Sequence, residues 1–147
     1  MKKQILLLVM MLLPMVASAY DRNGTCGENL TWVYDEASQA LTISGTGAMY
    51  DYSSYPLTPW YGICDKIKTV VINDGTTSIG KSAFYGCSGL TSIAIPNSVT
   101  SIGFFAFGRC SGLTSVSIPN SVTSIWDGAF QYCSNLAFVT IGNSVER

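Results

Sequence analysis

Residues 90–112 read LTSIAIPNSVTSIGFFAFGRCSG, and residues 113–135 read LTSVSIPNSVTSIWDGAFQYCSN. The two are one 23-residue unit written twice. Residues 67–89, IKTVVINDGTTSIGKSAFYGCSG, are a looser third copy, and residues 136–147, LAFVTIGNSVER, begin a fourth and stop about halfway through it. A fixed period of this length marks a repeat architecture, in which each unit leans on the next. Aligned copies give apolar columns: Ile67, Leu90, Leu113 and Leu136; Val70, Ile93, Val116 and Val139; Ile72, Ile95, Ile118 and Ile141. The second and third columns are two residues apart, so they share one face of a strand. Pro96-Asn97 and Pro119-Asn120 then turn the chain. A second short extended piece brings Val99 and Ile102 inward, followed by Ala106, Phe107 and Cys110. One unit cannot bury this apolar side by itself; coils stacked about 4.8 Å apart can.

The unit LTSIxIPNSVTSIGxxAFxxCSG resembles the leucine-rich repeats of the bacterial surface protein A (BspA) type. Residues 24–32 (GTCGENLTW), 41–49 (LTISGTGAM) and 59–61 (PWY) resemble the region that often precedes such repeats. Asn73-Asp74-Gly75 in place of Pro-Asn-Ser and the stop within a repeat depart from that pattern. The resemblance implies a solenoid displayed outside the cell and associated with adhesion and host interaction. The expected fold is a β-rich, leucine-rich-repeat-like solenoid of 23-residue coils with short helical or 3-10 turns, preceded by a small β cap.

Three segments follow from the residues. Lys2 and Lys3, an apolar run from Ile5 to Val16, and Ala17-Ser18-Ala19 make residues 1–19 a secretory signal with cleavage expected after Ala19. That predicts a secreted or cell-surface protein, with no membrane insertion once the signal is removed. Residues 20–66 read as an N-terminal β cap and loop. Leu30 to Tyr34 and Ala40 to Ser44 are strand-like runs joined by polar residues, as in a hairpin, and Gly45 to Pro59 reads as a loop. Trp60-Tyr61 and Cys64 lie one period before Ala83-Phe84 and Cys87. Residues 67–147 are the solenoid. Its last turn leaves Leu136, Val139 and Ile141 without a coil above them, an open edge expected of a fragment of a longer array, with self-association or fraying of the end as the alternatives.

The composition narrows the function. Eight basic and nine acidic residues leave a net charge of −1, without the basic excess that phosphate contacts demand, so no nucleic-acid partner is expected. The chain has no histidine, which removes imidazole-based catalysis and metal ligation. Ser78-Ile79-Gly80-Lys81 matches an S-x-x-K motif, but the next copies carry Phe104 and Asp127 at the lysine's column. The carboxylates share no column, so no acid-base pair is stacked across coils. No cofactor, metal or catalytic residue is expected.

Cys64, Cys87, Cys110 and Cys133 stand one period apart. A zinc site needs four sulfurs within about 2.3 Å of one ion, which a ladder with one rung per coil forbids. Buried thiols packing as small hydrophobes are the expected state. Disulfides between neighbouring rungs are the alternative, with Cβ atoms slightly too far apart for the 3.5 to ~4.5 Å they require. Cys26 is the odd one, with Cys64 as its partner if it pairs at all.

The columns that vary between copies carry what a binding surface would use. Phe104, Phe105 and Trp126 fall on adjacent coils in a stretch expected to face outward, either as a contact patch or folded over the corner to shield the core. Tyr85, Arg109 and Tyr132 flank the cysteines as a mixed aromatic and basic edge or as a solvated face. These six are the candidate partner-binding residues of a non-catalytic recognition or adhesion module for an extracellular protein or glycan. The competing reading is a structural spacer, the N-terminal part of a longer surface protein.

Overall fold

Alternation of apolar and polar residues makes the first two long strands. In the computed structural model, which describes residues 22–53 and 57–146, β1 (Asn23–Thr25) pairs antiparallel with β2 (Gly27–Asp35), and β2 with β3 (Ala40–Met49). Leu30, Trp32 and Tyr34 of β2 and Leu41 and Ile43 of β3 point into the core. The connecting turn is closed by the Asp35 carboxylate, which accepts hydrogen bonds from the Ser38 N–H and hydroxyl. The expected hairpin is present. The secretory signal and its cleavage point lie outside the described residues.

The expected loop from Gly45 is in part strand, because β3 runs on to Met49. Gly45 and Gly47, at φ 112° and 102°, bend it without breaking it. A Cβ at Gly45 would lie 2.1 Å from the Asn29 carbonyl oxygen, so only glycine fits there. The bend lets β3 serve two sheets. Its first half pairs in parallel with β4 (Thr69–Ile72), Leu41 beside Val70 and Ile43 beside Ile72. Its second half pairs with β5 (Thr76–Ile79).

From there each coil repeats the last. β6 (Ser92–Ala94), β8 (Ser115–Ile118) and β10 (Phe138–Ile141) continue the face begun by β4, with β4–β6 and β8–β10 hydrogen-bonded in parallel. β7 (Ser101–Ile102) and β9 (Ser124–Ile125) continue the β5 face in the register Ser78, Ser101, Ser124. The third side carries no strand. In each coil three overlapping β-turns follow one another, as in Ala83 N–H to Gly80 O, Tyr85 N–H to Ser82 O and Cys87 N–H to Phe84 O. The alternate N–H groups of Ser82, Phe84 and Gly86 donate to Phe104, Ala106 and Gly108 of the next coil. Those of Phe105, Phe107 and Arg109 donate to Asp127, Ala129 and Gln131 in the same way. Every second amide therefore serves its own turn and the others serve the stack, which leaves none of these buried donors without a partner.

This arrangement gives two left-handed residues per coil at matching columns: Ser82 and Gly86, Phe105 and Arg109, Gly128 and Tyr132. Inside the ring, Trp60, Phe84, Phe107 and Phe130 stack face to face with centroids 5.3 Å apart at each step. A one-period alignment puts Tyr61 in this column, yet Trp60 occupies it and Tyr61 faces solvent. The cause is the 3-10 turn Tyr61–Ile63, which replaces the β-turn run of later coils and shifts the chain by one residue. The Trp60 indole N–H then donates to the Ala83 carbonyl at 2.9 Å. Val139 and Ile141, on the last strand, are exposed, as the uncovered edge predicts.

The cysteine column departs from expectation. Cys64 and Cys87 are joined by a disulfide, with Cα atoms 4.5 Å apart, and Cys26 is a buried free thiol rather than the partner of Cys64. Coil spacing exceeds the Cβ separation a disulfide prefers, but the Cα separation here lies inside the roughly 4.4 to 6.8 Å that a disulfide accepts. Cys110 and Cys133 keep their thiols, which donate to the carbonyls of Phe84 at 3.1 Å and Phe107 at 3.0 Å, one coil back. Burial pushes the Cys26 thiol up to about 12 and raises Cys110 and Cys133 above their ordinary value.

Two outcomes are expected. Phe107→Ala, which opens the centre of the aromatic stack, should lower unfolding free energy by about 3–5 kcal/mol in urea titrations. Phe138→Ala, at a side chain 75% exposed, should change it by less than about 0.5 kcal/mol. The three thiols are held neutral in the fold, so their contribution is full below the ordinary thiol value of 9.0 and is lost as pH rises toward the folded value, about 12 for Cys26. Thermal melts should accordingly fall between those limits, and iodoacetamide should reach half-buried Cys133 before Cys26 or Cys110.

Candidate functional site

On the turn side, the column that begins each turn holds Gly80, Gly103 and Trp126. Gly80 is pressed against the cap: a Cβ there would lie 2.0 Å from the Tyr50 carbonyl oxygen. Gly103 is pressed against the first coil, 2.6 Å from the Lys81 amide nitrogen by the same construction. Two successive glycines let the cap and coils pack backbone to backbone, and Trp126 follows them in the same column. The next column holds Lys81, Phe104 and Asp127. Phe104, 38% exposed, and Trp126, 52% exposed, contact each other with ring centroids 4.9 Å apart and planes tilted by 38°.

These elements enclose a groove of about 420 Å³, lined by Asp51, Ser78, Gly80, Lys81, Ser101, Gly103, Phe104 and Trp126 together with Ile79. The cap segment forms its far wall. The Lys81 N–H donates to the Asp51 carboxylate at 2.7 Å, and the Tyr52 N–H donates to the Lys81 carbonyl at 3.0 Å. Ser78 and Ser101 are paired in the parallel ladder, so their hydroxyls are carried on strand backbone.

Phe105 does not join Phe104 and Trp126. Its φ of 53° turns the side chain to the other side of the corner, where the ring lies over Gly128 and meets Tyr85 edge-on at 6.4 Å. There it neighbours the second candidate set. The Arg109 guanidinium sits 6.0 Å from the Tyr85 ring centroid and 5.5 Å from that of Tyr132, which is 67% exposed. Tyr85, Arg109 and Tyr132 thus form a cation-π ladder across three coils. A depression of about 380 Å³ lined by Ser53, Lys81, Ser82, Tyr85 and Phe105 adjoins it, and Lys81 borders both hollows.

The six candidates therefore divide as Phe104 with Trp126, and Phe105 with Tyr85, Arg109 and Tyr132. Sequence reasoning missed Asp51 and discounted Lys81. Lys81 lies in the same variable column as Phe104, a signal that could have found it; Asp51 precedes the repeats and has no column. Among the described residues, no three His, Cys, Asp or Glu side chains gather as metal ligands.

Phe105, Arg109 and Tyr132 adopt left-handed backbone without being glycine, a conformation that costs roughly 1–2 kcal/mol each. The same columns accept Ser82, Gly86 and Gly128. A Cβ at Gly128 would come 2.4 Å from the Phe105 ring. Gly128→Ala should therefore destabilise by about 1–3 kcal/mol and displace Phe105, seen as loss of contacts between the Phe105 and Tyr85 rings by NMR. Ser82→Gly, at φ 54°, should cause no loss.

A family model for the BspA type leucine rich repeat region matches residues 60–147 in six copies. Among solved structures, the chain is similar to a leucine-rich repeat protein from Eubacterium ventriosum, with 27% identity and a TM-score of 0.60 over 83% of this chain and 44% of that one. A leucine-rich repeat protein from Bacteroides ovatus gives 32% identity and a TM-score of 0.54 over 56% of this chain and 21% of that one. The leucine rich repeat protein of T. pallidum shares the fold at 24% identity, with a TM-score of 0.58 over 83% of this chain and 62% of that one. The chain thus spans less than two thirds of the length of each. No curated protein matches it. With matched repeats over more than half its length and the stacked coils they describe, the chain belongs to the BspA-type leucine-rich-repeat family.

Proposed function

We propose that this chain is a non-catalytic recognition module, exported to the cell surface, whose repeat scaffold presents variable side chains to an extracellular protein or glycan. The observation that carries this reading is how the variable residues are placed. Side chains alike from copy to copy fill the interior, whereas Phe104, Trp126, Tyr85, Phe105, Arg109 and Tyr132 line the turn side as two aromatic groups on a rigid frame. Aromatic and arginine side chains bring large contact area at small loss of side-chain freedom, and they dominate binding hot spots.

The chain immobilised on a sensor surface should capture a component from a panel of extracellular-matrix proteins and polysaccharides. Trp126→Ala or Arg109→Ala with Tyr132→Ala should weaken capture by about tenfold or more, at unchanged circular dichroism. Capture that survives removal of all six side chains would refute the reading.

A further inference from the structure

Resting on that recognition reading, we infer that the groove between Phe104–Trp126 and Asp51–Lys81 takes a neutral oligosaccharide. Its volume of about 420 Å³ falls toward the small end of ligand sites, which span roughly 300–1,000 Å³, and matches a few sugar rings rather than a protein surface. Its walls differ in kind. At one end the Trp126 indole and Phe104 ring offer apolar faces against which the C–H side of a pyranose packs. The other end is lined by Asp51 and Lys81, and Ser78 and Ser101 also line the groove, so that polar groups are available to a sugar's hydroxyls.

The charge pattern selects the class. One carboxylate and one ammonium border the groove, so it has no excess of either sign to attract a phosphate, a sulfated chain or a cationic peptide. A neutral polyol uses both, since its hydroxyls donate to Asp51 and accept from Lys81. The frame is preorganised. The Lys81 amide holds one Asp51 oxygen, leaving the other for a ligand, and the close backbone packing at Gly80 and Gly103 holds together the cap and coils that carry the groove's walls. Lys81 has no ion-pair partner among the described residues, the one ion pair there being Arg22–Glu36.

The chain carries its own reporter. Trp32 and Trp60 are 1% and 0% exposed, which leaves Trp126 as the indole open to solvent. Hexasaccharides of glucose, xylose and mannose, titrated to millimolar concentration, should include one that shields Trp126 from acrylamide quenching and gives a calorimetric isotherm. Trp126→Ala and Asp51→Asn should each weaken that isotherm by about tenfold or more, whereas Phe138→Ala, at an exposed residue outside the groove, should leave it unchanged. No saccharide binding, or binding indifferent to Trp126→Ala and Asp51→Asn, would overturn the inference. Protein capture lost in Trp126→Ala without any saccharide binding would overturn the inference alone and leave the recognition reading standing; absence of both would end both.

Discussion

The stack of Trp60, Phe84, Phe107 and Phe130, with 5.3 Å between successive rings, sets the interval at which everything else in the molecule repeats. Faces at that distance require each coil to lie on the next without an intervening side chain. Backbone amides on the strand sides and the turn side then find carbonyls one coil away, as Thr100 does at Thr77 and Phe84 at Ala106. Hydrogen bonding and aromatic packing thus impose one translation, and a residue that cannot accept it has no place in the column. Gly80 and Gly103 satisfy this condition with no side chain at all, and the thiols of Cys110 and Cys133 satisfy it by reaching back to a carbonyl.

The same translation separates interior from surface. Apart from Thr76, which stands in the first full coil where Val99 and Val122 follow, the inward columns are occupied by Leu, Ile, Val, Ala, Phe and Cys, so most variation falls at positions that leave the ring. Many of those positions are on the turn side, where φ turns positive at two residues of each coil and neighbouring residues can point to opposite sides of the corner. Phe104 and Phe105 illustrate the effect. Neighbours in sequence, they serve different hollows, one beside Trp126 and one beside Tyr85. A surface built this way can change its contacts residue by residue without disturbing the stack, which is the property a recognition scaffold needs.

The cap is an extension of the solenoid's own sheets. β3 bends at Gly45 and Gly47 to begin both parallel ladders, so the first coil rests on a paired strand instead of on solvent. Asp51 and Tyr52 then tie the cap to Lys81. This tie makes one wall of the groove, so the candidate site depends on the cap as much as on the repeats. The disulfide between Cys64 and Cys87 binds the irregular entry segment to the first full coil at the place where the β-turn run is missing.

Much of this was legible in the residues alone. The period, the inward columns, the hairpin ahead of the repeats and the poverty of catalytic side chains follow from spacing and composition, because a strand alternates with period two and a stacked coil recurs at a constant interval. Spacing records translation, however, and says little about rotation. Nothing in the order of Phe104 and Phe105 reveals that φ changes sign between them, nor that Trp60 displaces Tyr61 after a 3-10 turn. Periodicity also cannot relate residues outside it, so the meeting of Asp51 with Lys81 across the cap, and the approach of Cys64 to Cys87 at 4.5 Å, were decided only when the coils closed on one another.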